Sequence, residues 1–331
     1  MFVARWIPAF AGMTLRCVGT FLQLSLNMLS MTQLSYRVPE AGFLGLSADD
    51  AGDPAEAKAV IIPFGLEASV SYGGGTALGP EAIIAASPKL EFFDEALWRE
   101  PYREFGIATL EAPEIAPGVE AALGQLEAVV ETVLAAGKFP LTLGGEHSLT
   151  AGAIRPFARR YPDLVVLQFD AHSDLRDGYL GEPYSHAAAM RRVLDHQGVS
   201  LVSVGIRATD ISEVPFIEAN PGRVTIHWAK DRRRWSVEDI VAPLRGRPVY
   251  ISFDVDGFDS SLMPATGTPE PGGFFFDEAC EILRAACRAG TVVGADIVEL
   301  APIPGFHACN FTAAKLAYKL LSYALNGEPR D

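Results

Sequence analysis

The chain has 331 residues, 49 % hydrophobic and 21 % charged, a balance that excludes a disordered or low-complexity protein. Its formal net charge of −14, from 27 Lys+Arg against 41 Asp+Glu, argues against a nucleic-acid partner and is compatible with a cationic one. Four cysteines (Cys17, Cys280, Cys287 and Cys309) without C-x-x-C spacing exclude a disulfide scaffold, and Cys280 and Cys287, seven apart in a helical pattern, are expected as core thiols on one face.

Residues 1 to 30 differ from the rest of the chain. They contain Arg5 and Arg16 but no acidic residue, the first of which is Glu40. The apolar stretch CVGTFLQLSLNMLSM carries Gln23 and Asn27 and is short for a membrane span. A signal or transit peptide is one reading. WIPAFAGMT resembles translated intergenic repeat sequence at misassigned bacterial starts, so the preferred expectation is a start at Met28 or Met31, with 1 to 30 disordered or misassigned and 31 to 331 a single domain.

From Gly42 onward β and α signals alternate. Apolar, β-rich runs predict strands at 57 to 64, 104 to 110, 139 to 145, 163 to 170, 201 to 207, 223 to 229, 247 to 254 and 291 to 300. Helical patterns lie at 118 to 136, 149 to 160, 184 to 195, 236 to 244, 275 to 289 and 310 to 325. The last has Asn310 as a possible N-cap and an apolar stripe through Ala313, Leu316, Ala317, Leu320, Leu321 and Ala324, expected as core. Eight strands with intervening helices predict an α/β fold with a mostly parallel eight-stranded sheet covered on both faces.

Three strand ends carry polar residues that packing does not require. The run LVVLQ is followed by FDAHSDLRD, placing Asp170, His172 and Asp174 at spacings of two, so that they can converge on one point. LTLGGEHSLT ends a strand in two glycines and then presents His147. YISFDVDGFD places Asp254 and Asp256 at the same spacing of two, where the carboxylates repel unless a cation lies between them. Glycines and prolines over 257 to 273 predict an ordered loop above the site, with Asp259 as a turn former or support. Four carboxylates and two imidazoles, without thiolates, suit Mn²⁺ or Mg²⁺ better than structural zinc, and six side chains are too many for one catalytic ion. Two ions, ~3.5 to 4 Å apart and sharing an acidified water, are the expectation.

GGEHS, DAHSD and SFDVDGFD followed by PATGTPEPGG resemble the three signature segments of the ureohydrolase family, which includes arginase and agmatinase, from about Ala59 to the C-terminus. The resemblance implies a three-layer α/β/α arginase-like fold and two Mn²⁺ ions per chain. His147 and Asp174 would bind one ion, His172 and Asp256 the other, and Asp170 and Asp254 would bridge. It also implies attack of a hydroxide on a guanidinium carbon, with release of urea and an amine. Asp174 would assist protonation of the leaving group, His186 in PYSHAAAMRR would exchange protons with solvent, and Glu299 in DIVELAP would pair with the substrate guanidinium.

VSYGGGTALGPEAI, together with YLGEPYSHA and MRR, resembles the agmatinase branch, and DGYLGEPYS lacks the polar pattern by which arginases recognise an α-amino acid. The implied reaction is agmatine to putrescine and urea, a step of polyamine biosynthesis. Guanidinobutyrate, guanidinopropionate and arginine are alternative substrates, and a non-catalytic regulatory member is a further alternative. The family further implies a cytoplasmic homo-oligomer, trimer or hexamer, with no membrane partner. Glu146, Ala187 and the segment APIPGFHACN depart from the common pattern.

Overall fold

Val, Ile, Leu and Phe dominate the eight apolar runs, and each run forms a strand: β1 (Ala59–Phe64), β2 (Ile107–Thr109), β3 (Phe139–Gly144), β4 (Val165–Phe169), β5 (Ser200–Ile206), β6 (Val224–Trp228), β7 (Pro248–Asp254) and β8 (Thr291–Val298). The computed structural model describes residues 34–326, so the expected N-terminal extension at 1 to 30 lies outside the described residues. β1, β3 and β4 are buried throughout, as strands covered on both faces must be. The edge strand β6 buries only Val224.

All strand pairs are parallel, in the order β2-β1-β3-β8-β7-β4-β5-β6. The chain lays down β1 to β3 on one side and β4 to β6 on the other, then returns to place β7 and β8 in the gap. Register aligns the middle strands, pairing Leu143 with Ile297, Ile297 with Phe253 and Phe253 with Phe169. The C-terminal ends of β3, β8, β7 and β4 therefore stand side by side, where parallel sheets place their chemistry.

Helices cover both faces: α1 (Gly79–Ala86), α2 (Val119–Ala135), α3 (Phe276–Ala289) and α4 (Ala308–Asn326), with shorter turns between. On one face Ile251, Phe253 and Ala295 share a core with Ala279 and Leu283 of α3 and with Leu316 and Leu320 of α4. On the other, Phe157 meets the Tyr250 ring edge-on with centroids 4.9 Å apart, and its ring would collide with a side chain at Gly294. The layers are helix, sheet, helix. Among the described residues no helix is long and apolar enough to cross a membrane.

α4 is tied down by a buried charge. Lys319, 3 % exposed in its side chain, sits 3.0 Å from Asp94 and 2.6 Å from Glu95, while Asp94 also accepts from the N–H groups of Ala96 and Leu97. The expected stripe on α4 is core, with Ala324 at its margin. Cys280 is buried and Cys287 is partly so.

Some helix limits differ from expectation. α4 begins at Ala308 and its first turn closes on the His307 carbonyl, so Asn310 lies inside the helix and is not its cap. The predicted helix at 149 to 160 breaks at Ile154 into Thr150–Ala153 and Arg155–Arg160, because Pro156 brings no N–H to continue the ladder. The predicted strand at 104 to 110 shrinks because Tyr102–Phe105 form a helical turn that ends at the left-handed Gly106. α1 was not expected; its signal is Pro80 in the first turn, where proline fits a helix start.

Candidate metal centre

β3 ends in glycines because nothing larger fits. A Cβ on Gly145 would collide with the Leu66 carbonyl, and one on Gly144 would collide with the Leu149 side chain. The tight exit leads into the 3-10 turn His147–Leu149. His147, 1 % exposed, places its Nδ1 2.9 Å from Asp174 Oδ2, 3.1 Å from Asp170 Oδ2 and 3.4 Å from Asp254 Oδ2.

Beyond β4, Asp170 accepts from Gln168 Nε2 at 2.7 Å and from the His172 N–H at 2.5 Å. His172 Nδ1 lies 2.8 Å from Asp256 Oδ2 and 3.7 Å from Asp170 Oδ1. Asp174 and Glu299 both hold left-handed backbone, with φ of 53° and 67°, a conformation that costs free energy for residues with a Cβ and collects at functional sites. Beyond β7, Asp254 accepts from the Asp256 N–H and Asp256 from the Ala171 N–H, at 2.8 and 2.9 Å. Gly257 lets this segment approach: a Cβ there would lie 2.9 Å from the Asp170 nitrogen. Asp259 accepts from the N–H groups of Ser261, Gly272 and Gly273, so it braces the loop over the site.

Two groups of ligating atoms result, His147 with Asp170 and Asp254, and Asp170 with His172 and Asp256, each within 4.8 Å of one another. Asp170 belongs to both groups, and Asp174 adjoins the first through His147. All six expected ligands thus come together. The donors fit hard divalent cations with some nitrogen preference. His147 Nδ1 is buried and makes no hydrogen bond despite three carboxylate oxygens within 3.4 Å. Against burial, Asp170, Asp174 and Asp254 raise His147 well above its usual value, so this crowded nitrogen calls for a positive charge, a proton or a metal cation. Burial and the Asp170 charge push the Asp174 carboxyl up to about 7, and burial with the Asp256 and Asp170 charges pushes Asp254 well up. Burial would lower His172, but Asp256 and Asp170 drive it up to about 12.

Support behind the ligands was not foreseen. His147 Nε2 lies 2.9 Å from Ser252 Oγ, and Ser252 donates to Asp296 Oδ1 at 2.8 Å. Asp296, fully buried, also accepts from Tyr250 OH at 2.7 Å and Thr150 Oγ1 at 2.9 Å. This chain fixes Nε2 as the protonated nitrogen and leaves Nδ1 for a cation, the usual outer-shell arrangement of a metal-binding histidine.

The centre opens into a cavity of about 540 Å³ that His186 and Glu299 also line. Glu299 accepts from the His147 N–H at 2.6 Å, and burial raises its carboxyl to about 8. His186 opens the 3-10 turn His186–Ala188, and burial followed by the neighbouring histidines lowers it to about 4. Its ring rests between Ser69 and Ser71, at 2.9 and 2.8 Å. Neither serine was singled out from sequence, nor was a role for Glu146, which anchors Ser69. Arg207 also lines the cavity, but it donates to the carbonyls of Gly205, Asp256, Phe258, Glu270 and Pro271. Arg176 pairs with Asp210 at 3.2 Å.

Fold and site define an α/β/α protein with a candidate metal centre across the ends of its four central strands. The profile of the arginase family matches residues 57–322. N(1)-aminopropylagmatine ureohydrolase from Synechocystis sp. is 37 % identical over 279 residues, covering 81 % of this chain and 90 % of its own. Agmatinase from Bacillus anthracis is 35 % identical over 250 residues, covering 75 % and 85 %. The crystal structure of agmatine ureohydrolase of Thermoplasma volcanium superimposes with a TM-score of 0.76 at 30 % identity, covering 90 % of this chain and 97 % of that one. The chain belongs to the arginase family: it is a ureohydrolase, a hydrolase that acts on guanidino groups.

Proposed function

We propose that the chain hydrolyses agmatine to putrescine and urea with two Mn²⁺ ions. The observation that carries this reading is that Asp170 is shared by two ligand groups whose cavity also holds Glu299. His147 and Asp174 would hold one ion and His172 and Asp256 the other, with Asp170 and Asp254 as the residues that would serve both. When bound, such a pair lowers the pKa of a water enough to supply hydroxide near neutral pH.

The chain's own residues supply the rest. Glu299 pairs with the guanidinium through two parallel hydrogen bonds and orients its carbon; a cation there would ionise a carboxyl that burial holds high. As the C–O bond forms and the C–N bond breaks, the departing amine needs a proton, which Asp174 delivers. His186 exchanges that proton with solvent. With Arg207 and Arg176 engaged, the remaining carboxylates favour a substrate ending in an amine over one ending in a carboxylate, such as arginine or guanidinobutyrate.

N1-aminopropylagmatine is the second reading, favoured by the 37 % identical relative named for it. Single-domain organisation, cytoplasmic location and homo-oligomerisation belong to the same proposal. Urea release by the Mn²⁺-loaded chain is to be measured over agmatine, N1-aminopropylagmatine, arginine, guanidinobutyrate and guanidinopropionate. Agmatine should give the highest kcat/KM; preference for a carboxylate-bearing guanidine would overturn the assignment, and no urea from any member would favour a non-catalytic role.

A further inference from the structure

Glu146 adjoins a candidate ligand yet reaches the opposite way. It is 1 % exposed, and its Oε2 accepts from the N–H groups of Ala68 and Ser69 at 2.6 and 2.5 Å. Its Oε1 accepts from the hydroxyls of Ser148 and, at 3.1 Å, Ser69. Four donors around one carboxylate fasten the loop carrying Ser69 and Ser71 to the exit of β3. Ser69 Oγ in turn meets His186 twice, accepting from its backbone N–H at 3.0 Å and lying 2.9 Å from its Nδ1.

Counting protons decides what that second contact is. A serine hydroxyl has one proton and two lone pairs, and a carboxylate only accepts. The stronger acceptor is the charged one, so the Ser69 proton goes to Glu146. Ser69 then has only lone pairs to offer His186, and Nδ1 must be the ring nitrogen that carries hydrogen. Nε2 is left with its lone pair, 2.8 Å from the exposed hydroxyl of Ser71. That hydroxyl can donate to a neutral Nε2 and, by rotating, accept from a protonated one. The ring need not turn when it gains or loses a proton.

We propose that Glu146 and Ser69 are positioning residues that hold His186 as its Nδ1–H tautomer, making Nε2, with Ser71 as its partner, the nitrogen through which protons pass. The inference rests on the reading of His186 as the proton carrier, but its central claim is read without turnover.

The test is ring ¹⁵N NMR of the full chain labelled at histidine and loaded with diamagnetic Zn²⁺, with the His186 signals identified by their loss in His186→Asn. The wild type should show a protonated Nδ1 and a bare Nε2. Ser69→Ala should switch the ring to the Nε2–H form that free histidine favours and lower kcat at unchanged KM, and Ser69→Thr should restore both. An Nε2–H ring in the wild type, or an unchanged tautomer in Ser69→Ala, overturns the proposal. Absence of urea release from every guanidine would instead count against the functional reading and leave the tautomer result intact. Ser69 is only partly buried, so its variants are expected to fold.

Discussion

Ser252 Oγ stands 2.9 Å from Nε2 of His147, the ring nitrogen that faces away from Asp170, Asp174 and Asp254. Ser252→Ala would leave that N–H buried without an acceptor and release the ring. Metal affinity is expected to fall roughly 10- to 100-fold, the usual cost of losing such a partner. Titrating the metal-free variant with Mn²⁺ against a competing chelator measures it; wild-type affinity would show that the contact does not orient the ligand.

Asp170 touches both ligand groups, whereas Asp256 belongs only to the second. Asp170→Asn should therefore deplete both ions, and Asp256→Asn should retain about one ion per chain. Metal analysis after loading and dialysis distinguishes the outcomes. Two full ions in Asp170→Asn would refute the shared role.

His186 predicts a pH dependence of stability. In the metal-free chain, burial and the neighbouring histidines hold it at about 4, against ~6.5 when unfolded. Below 6.5 the unfolded chain takes up a proton that the folded chain refuses until about 4, so the contribution is present above 6.5 and is lost as pH falls through that window. Between pH 7 and 4.5 the wild type should lose about 2 kcal/mol more than His186→Asn. Urea midpoints of the two proteins at both pH values test this; parallel losses would contradict it.

Lys319→Met should be costly. It leaves Asp94, whose side chain is fully buried, without its cation, a loss of about 3 to 5 kcal/mol. Adding Asp94→Leu should recover part of it, since an apolar pair of similar volume tolerates burial. Denaturant unfolding of single and double variants gives the coupling, and additive effects would mean the two groups do not interact.

The strands and the ligand segments were legible because each signal is local. An apolar run marks a strand from its own residues, and D-x-H-x-D after such a run marks a candidate ligand segment, although Asp174 reaches the site only through a left-handed backbone. The supports were not legible. Ser252 and Asp296 are single polar residues in apolar strands, and what joins them is the pairing of β7 with β8. Glu146 and His186 lie 77 and 117 residues from Ser69, with nothing in their local patterns to link the three. Asn310 misled because its residue type suits a cap while the backbone of α4 had already turned at His307.

The late insertion of β7 and β8 between β3 and β4 has a consequence for biosynthesis. A nascent chain that has emerged only as far as β6 holds His147, Asp170, His172 and Asp174, but any sheet it forms in the final order would be split into two three-stranded halves. Each half would then present an unpaired edge, β3 on one and β4 on the other, the kind of surface that recruits foreign strands. β7, which brings Asp254, covers the β4 edge first, and β8, which leads to Glu299, covers the β3 edge. The last third of the chain thus completes the catalyst and ends its most aggregation-prone interval in the same event.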